Sequence, residues 1–260
     1  MRRNDRHAFD LPPARRIAVV GGAGGIGRVL VDHLMALEAR VAVLDLAASL
    51  ARHAPREGVL AATIDVTDEE SVARTFASVG EAFGALDGLV NLAGFAREKS
   101  PVGETSRAAW SEVMVGNLDG TFLCCRAGLP LLHAGEGAAI VNTSSGLALK
   151  PTPGYGPYSA AKAGILALTR LLAQENAPRV RVNAIAPSAV DTAFLRGGTG
   201  RGGDGNEGTR LDMDAYLKTV PLGRIATPED VVGPILFLLG PAAAYVTGQT
   251  LHVNGGLLMP

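Results

Sequence analysis

The chain has 260 residues, enough for one large α/β domain with a substantial core. Hydrophobic residues make up 47% and charged residues 19%, a balance that excludes disorder over the whole length. A formal net charge of −1 points away from nucleic acid and from anionic membrane surfaces.

The two cysteines, Cys124 and Cys125, are adjacent and poorly placed for an intrachain disulfide. The histidines are scattered without metal-ligand spacing, so no metal site is expected. Met1 to Arg16 is polar and basic, without the apolar stretch of a signal peptide, and no apolar run reaches 18 residues. The expectation is a soluble cytoplasmic protein, with residues 1–14 as a polar tail and 15–260 as a single domain.

Arg16 to Val20 is a short β-branched run that reads as a buried strand. It leads straight into Gly21-Gly-Ala-Gly-Gly25-Ile-Gly27, and then Arg28 to Leu37 repeats its apolar residues at helical spacing. Strand, glycine turn, helix is the context a dinucleotide-binding motif requires. Glycines let the backbone approach a pyrophosphate, and the helix start offers free N–H groups. The next strand, Arg40 to Leu44, ends in Asp45, a carboxylate placed to accept hydrogen bonds from ribose hydroxyls and to repel a 2′-phosphate. No arginine directly follows it, and Gly24 occupies a position where a basic residue could assist NADP, so NAD is favoured.

Val59 to Ile64 reads as a third strand ending in Asp65-Val66, and Thr67 to Glu70 opens a helix. Leu86 to Val90 is a fourth strand ending in Asn91-Leu-Ala-Gly94, and Ile140 to Ser145 a fifth. Asn117 is a polar residue in a helical stretch, where such side chains usually bond their own backbone. Val180 to Ile185 is a sixth strand, Thr227 to Asp230 a capped helix start, and Leu251 to Asn254 a last strand. Strands alternating with helices imply a parallel sheet with right-handed crossovers, and ligands then gather at the carboxyl ends of the strands.

Tyr158-Ser-Ala-Ala-Lys162 is the most chemical stretch. Residues four apart share a helix face, which sets a phenol beside an ammonium. A free tyrosine, with a pKa of about 10, is a poor base at neutral pH. The neighbouring positive charge is expected to lower that value and make Tyr158 a general acid and base. Tyr155 has no lysine four residues on.

Together these residues resemble the short-chain dehydrogenase/reductase family, from Arg16 to Gly256. The resemblance implies a Rossmann-type, doubly wound parallel sheet of about seven strands with helices on both faces. It implies a glycine motif on Gly21, Gly24, Gly25, Ile26 and Gly27, with Val20 where a threonine is usual, and an adenine-site acid at Asp65 beside Val66. The family's Asn-Asn-Ala-Gly motif falls on Asn91, Leu92, Ala93 and Gly94, and its proline-glycine on Pro187-Ser188. Val190 and Thr192 match the segment that holds the carboxamide.

By the same resemblance Asn117, Ser145, Tyr158 and Lys162 form the catalytic set. Lys162 bonds the nicotinamide ribose, Ser145 positions the substrate oxygen, and Asn117 fixes a water linked to Lys162. A homotetramer is implied as well. An NAD-dependent alcohol dehydrogenase, an NADPH-dependent 3-oxoacyl-thioester reductase and a catalytically silent nucleotide sensor remain open. A serine hydrolase is disfavoured, since no Gly-x-Ser-x-Gly is present. The glycine-rich segment from Ala193 to Thr219 reads as a substrate lid, with seven glycines between Gly197 and Gly208.

Overall fold

Successive side chains of a strand point to opposite faces, so a strand covered on both sides must be apolar throughout. After its first residue, the strand Arg16–Val20 (β1) meets that requirement. Ile17 and Val19 face one hydrophobic layer, and Ala18 and Val20 face the other, all fully buried. The computed structural model describes residues 11–198, 201 and 211–259. The remaining strands are Arg40–Asp45 (β2), Leu60–Thr63 (β3), Gly88–Asn91 (β4), Ala138–Thr143 (β5), Val180–Pro187 (β6) and Thr250–Val253 (β7). They form a 7-stranded parallel sheet in the order β3-β2-β1-β4-β5-β6-β7.

The α-helices among the described residues are Gly25–Ala36 (α1), Ala47–Arg52 (α2), Glu69–Phe83 (α3), Arg107–Met114 (α4), Gly120–His133 (α5), Gly156–Asn176 (α6), Met213–Leu217 (α7) and Pro228–Leu239 (α8). Leu30 and Leu34 of α1 pack with Val231 and Ile235 of α8 on one face of the sheet. Val72 and Phe76 of α3, Leu123 of α5 and Leu172 of α6 cover the other. The chain winds outward from β1 to β3 and returns to β4 on the opposite side of β1. That reversal opens a crevice beyond the carboxyl ends of β1 and β4, where such sheets bind ligands.

Several expected boundaries shift. The fourth strand begins at Gly88 rather than Leu86, because Asp87 is used as an anchor. Its carboxylate accepts from the Arg16 backbone N–H at 2.9 Å and from the Arg16 guanidinium at 2.9 and 2.7 Å. The polar tail is shorter than expected: Leu11 is 6% exposed and packs into the α1–α8 layer. Helix α3 is capped by Asp68, whose side chain accepts from Glu70 N. Both cysteines are buried and free. Among the described residues no helix is long and apolar enough to cross a membrane, and no group of three or more metal-ligating side chains occurs.

Candidate active site

The glycine turn after β1 is fixed by two requirements. Gly21 has φ +81°, a conformation that side chains rarely adopt, and a Cβ there would lie 2.7 Å from the Ala93 backbone nitrogen. Helix α1 starts at Gly25 with no side-chain cap and no acid in its first turn. Its unpaired N–H groups and positive dipole end therefore favour an anion such as a diphosphate. Thr192, in the segment after β6, closes against this turn: a Cβ on Gly25 would fall 2.6 Å from its Cγ2. Asp45, at the end of β2, accepts from Ala23 N at 2.9 Å and from Leu46 N at 2.8 Å. Those two bonds fix the carboxylate beside the turn, placed to accept from a ribose diol. These features fit a dinucleotide.

A cleft of about 970 Å³ runs from Asp45 and Arg52, past Gly21 and Gly24, to Ser145, Tyr158 and Phe194. At that far end α6 meets the carboxyl end of β5. The Lys162 ammonium donates to the Thr143 carbonyl at 3.0 Å, and the Ser144 hydroxyl donates to the Lys162 carbonyl at 2.7 Å. These bonds lock α6 to β5, so Tyr158, one turn before Lys162, faces Ser145. The Ser145 side chain hydrogen-bonds the Tyr158 phenol and also accepts from Leu147 N at 3.2 Å.

Burial pushes the Tyr158 phenol up to about 12; the Ser145 hydrogen bond acts in the opposite direction and Tyr155 adds to the rise. Burial pushes the Lys162 ammonium down to about 8. The expected lowering of the tyrosine by its lysine is therefore not what the structure shows. The reason is geometric: the Lys162 ammonium lies 5.4 Å over the ring centroid and spends a hydrogen bond on Thr143, while burial disfavours both charged forms.

Asn117 sits in a single π-helical turn, Val115–Asp119, between α4 and α5. Such wide turns recur at functional sites. Its Nδ2 donates to Phe95 O at 2.8 Å and to Val113 O at 2.9 Å. The bond to its own backbone exists, but it leaves Oδ1 buried without a donor among the described residues. That oxygen points toward Gly94 and Lys162.

Comparison with known proteins gives a consistent picture. A family model described as Enoyl-(Acyl carrier protein) reductase, adh_short_C2, matches residues 21–258. Cis-4-hydroxycyclohexanecarboxylate dehydrogenase of Sinomonas cyclohexanicum is 39% identical, the match covering 94% of this chain and 96% of that protein. A 3-oxoacyl-[acyl-carrier-protein] reductase of Aquifex aeolicus is 33% identical over 92% of this chain and 95% of its own length. The crystal structure of 3-ketoacyl-(acyl-carrier-protein) reductase from Brucella melitensis complexed with NADH superposes with a TM-score of 0.84 at 26% identity, covering 95% of this chain and 99% of that one. The chain belongs to the short-chain dehydrogenase/reductase family. It is accordingly an oxidoreductase of a family that uses a nicotinamide cofactor, which would supply the acceptor or donor of hydride when bound.

Most residues expected from the short-chain dehydrogenase/reductase pattern line the cleft: Gly21, Gly24, Gly25, Ile26, Gly27, Asp45, Val66, Ala93, Gly94, Ser145, Tyr158, Lys162, Pro187, Val190 and Thr192. Two expectations need correction. Asn91 lies beneath the cleft rather than in its wall, because its amide donates to Asn142 Oδ1 at 2.9 Å across the β4–β5 register. The Asp65 carboxylate is held by Thr67 and ion-paired with Arg201, so it meets the cleft through that guanidinium. Burial raises the pKa of Asp65, but its bonds to Thr67 and Arg201 outweigh that and lower it. Asn117 is fully buried beneath the wall, with its Oδ1 on the side of Lys162.

Phe95 and Lys150 were not anticipated, and Phe194 and Arg201 were anticipated only as part of the 193–219 segment; all four line the cleft. All four lie in loops beyond the carboxyl ends of strands, and that position was the available signal. Most of the glycine-rich stretch Gly197–Gly208 lies outside the described residues.

Proposed function

We propose that the protein is an NAD-dependent dehydrogenase that interconverts a secondary alcohol and a ketone. The observation that carries the reading is the convergence of Ser145, Tyr158 and Lys162 at one end of a cleft whose other end holds Asp45. In oxidation the carbinol O–H proton passes to the Tyr158 phenolate, the O–H electron pair forms the C=O bond, and the C–H electron pair leaves as hydride, for which a bound NAD would be the acceptor. Ser145 donates to the substrate oxygen and steadies its developing charge. Lys162 would hold the ribose hydroxyls, and Asn117, whose unpartnered Oδ1 lies on its side, would fix a water that links Lys162 to solvent and drains the proton from Tyr158. Support for an alcohol substrate comes from the named activity of the 39% identical relative.

Asp45 supports NAD over NADP, since its fixed carboxylate repels a 2′-phosphate. One observation favours the 3-oxoacyl-thioester reading with NADPH: Arg28 and Arg52 line the same end of the cleft. Burial and those two arginines lower the pKa of His53, against Asp45, which raises it. Fluorescence titration with NADH and NADPH separates the readings, and tighter NADPH binding would overturn the NAD assignment. The exposed Phe122, Leu171 and Phe237 support a homotetramer, testable by light scattering at micromolar concentration. Two free buried cysteines fit a reducing, cytoplasmic setting.

A further inference from the structure

The substrate end of the cleft has an uneven charge. Among its described lining residues the only acids are Asp45, at the adenosine end, and Asp191, which is ion-paired with Arg196 at 2.6 Å. Lys150 lies five residues beyond Ser145, on the turn that leads from β5 to α6, and it also lines the cleft. Its backbone N–H donates to Gly146 O at 3.0 Å, which fixes the base of the side chain. The ammonium is exposed and has no ion pair or hydrogen bond among the described residues. On the facing loop, Lys99 places a second ammonium 5.5 Å over the Tyr155 ring. Leu147, Phe194, Leu257 and Leu258 give the same cleft apolar wall.

Building on the alcohol-dehydrogenase reading, we propose that Lys150 selects substrates bearing a carboxylate, so that the natural substrate is a compact hydroxy acid or the matching keto acid. An apolar chamber rewards a hydrocarbon frame, while an unneutralised cation at its rim attracts an anion and repels a cation. The carbinol group seats on Ser145 and Tyr158, and the carboxylate meets Lys150 a few carbons away.

The test compares kcat/KM for a hydroxycyclohexanecarboxylate, its methyl ester and a 3-hydroxyacyl thioester of coenzyme A, in the wild type and in Lys150→Gln and Lys150→Arg. The acid is expected to exceed the ester by roughly tenfold or more, a preference that Lys150→Gln abolishes, Lys150→Arg largely keeps and added salt weakens. Equal turnover of acid and ester, or a preference that survives Lys150→Gln, overturns the proposal and leaves the dehydrogenase reading standing. A thioester preferred over the free acid overturns the compact substrate. No turnover of any alcohol in either cofactor overturns the parent reading, and this one with it.

Discussion

Asn117 Oδ1 and Lys162 Nζ approach each other across Gly94. A Cβ on that glycine would sit 2.5 Å from the amide oxygen and 3.2 Å from the ammonium. Gly94 is therefore required by close approach. Gly94→Ala should push both groups aside and lower kcat by at least about tenfold, with an overpacking cost of roughly 1–3 kcal/mol. Activity and denaturant midpoint read the two effects separately. Unchanged turnover in a folded variant would show that Asn117 and Lys162 need not be in register.

Tyr158→Phe removes one hydroxyl and little volume. Its kcat should fall by roughly 10²–10⁴, the usual span for general acid–base catalysis, while NADH binding persists. The phenol is pushed up to about 12, so oxidation, which needs it as a base, should speed up as pH rises through neutrality. A phenyl ring has nothing to titrate, so the variant should lose that rise. Tyr158 and Lys162 titrate as neighbours, and any apparent pKa from the profile belongs to the pair. A variant with wild-type rate and pH profile would remove Tyr158 from the proton path.

Asp87 carries a stability prediction remote from the chemistry. Burial acts to raise its pKa, but hydrogen bonds from Arg16 and Glu136 and the nearby Arg15 hold it down at about 2, from an ordinary 3.8. A depressed carboxylate adds stability that is present above its unfolded pKa and is lost as pH falls through the folded one. The shift corresponds to about 2 kcal/mol. Asp87→Asn should cost at least that much at pH 7, and the gap to wild type should narrow between about pH 4 and pH 2. Urea titrations at several pH values measure it; a gap independent of pH would assign the cost to packing alone.

The sheet and most of the cleft were legible in the sequence because apolar strand runs and glycine turns are local signals. Tyr158 and Lys162 were legible because helical spacing fixes their common face. The direction of Asn91 was not: in a strand buried on both sides, apolar periodicity cannot say which face a polar residue takes. Its partner Asn142, 51 residues away, decides it. Arg201 was illegible for a similar reason, since only tertiary structure brings it to Asp65. The π-helical turn that aims Asn117 depends on packing of Gly116 against Phe95, which no local propensity reports.

Asp45 should set the cofactor. Asp45→Ala removes the repulsion of a 2′-phosphate and exposes it to Arg28 and Arg52. NADPH should then bind at least about tenfold tighter than in the wild type, and NADH more weakly through loss of the ribose bonds. Fluorescence titration of both nucleotides is the measurement. If the ratio of affinities stays where it was, Asp45 does not read the ribose.

Phe194 should set substrate affinity without touching the cofactor. It follows Thr192 in the turn Ala193–Arg196, and its ring centroid lies 6.2 Å from that of Tyr158, tilted by 44°. The residue is 42% exposed, so it contributes little to folding. A bound alcohol would cover the remaining face of the ring and be shielded by it from water. Losing that contact corresponds to roughly 1–2 kcal/mol of apolar burial. Phe194→Ala should therefore raise substrate KM about five- to thirtyfold, with NADH affinity and thermal midpoint nearly unchanged. Phe194→Leu should recover most of the loss, because it restores apolar area without the ring. If the alanine variant weakened NADH binding as much as substrate binding, Phe194 would belong to the nicotinamide wall. If neither changed, its exposed ring would be an ordinary surface residue.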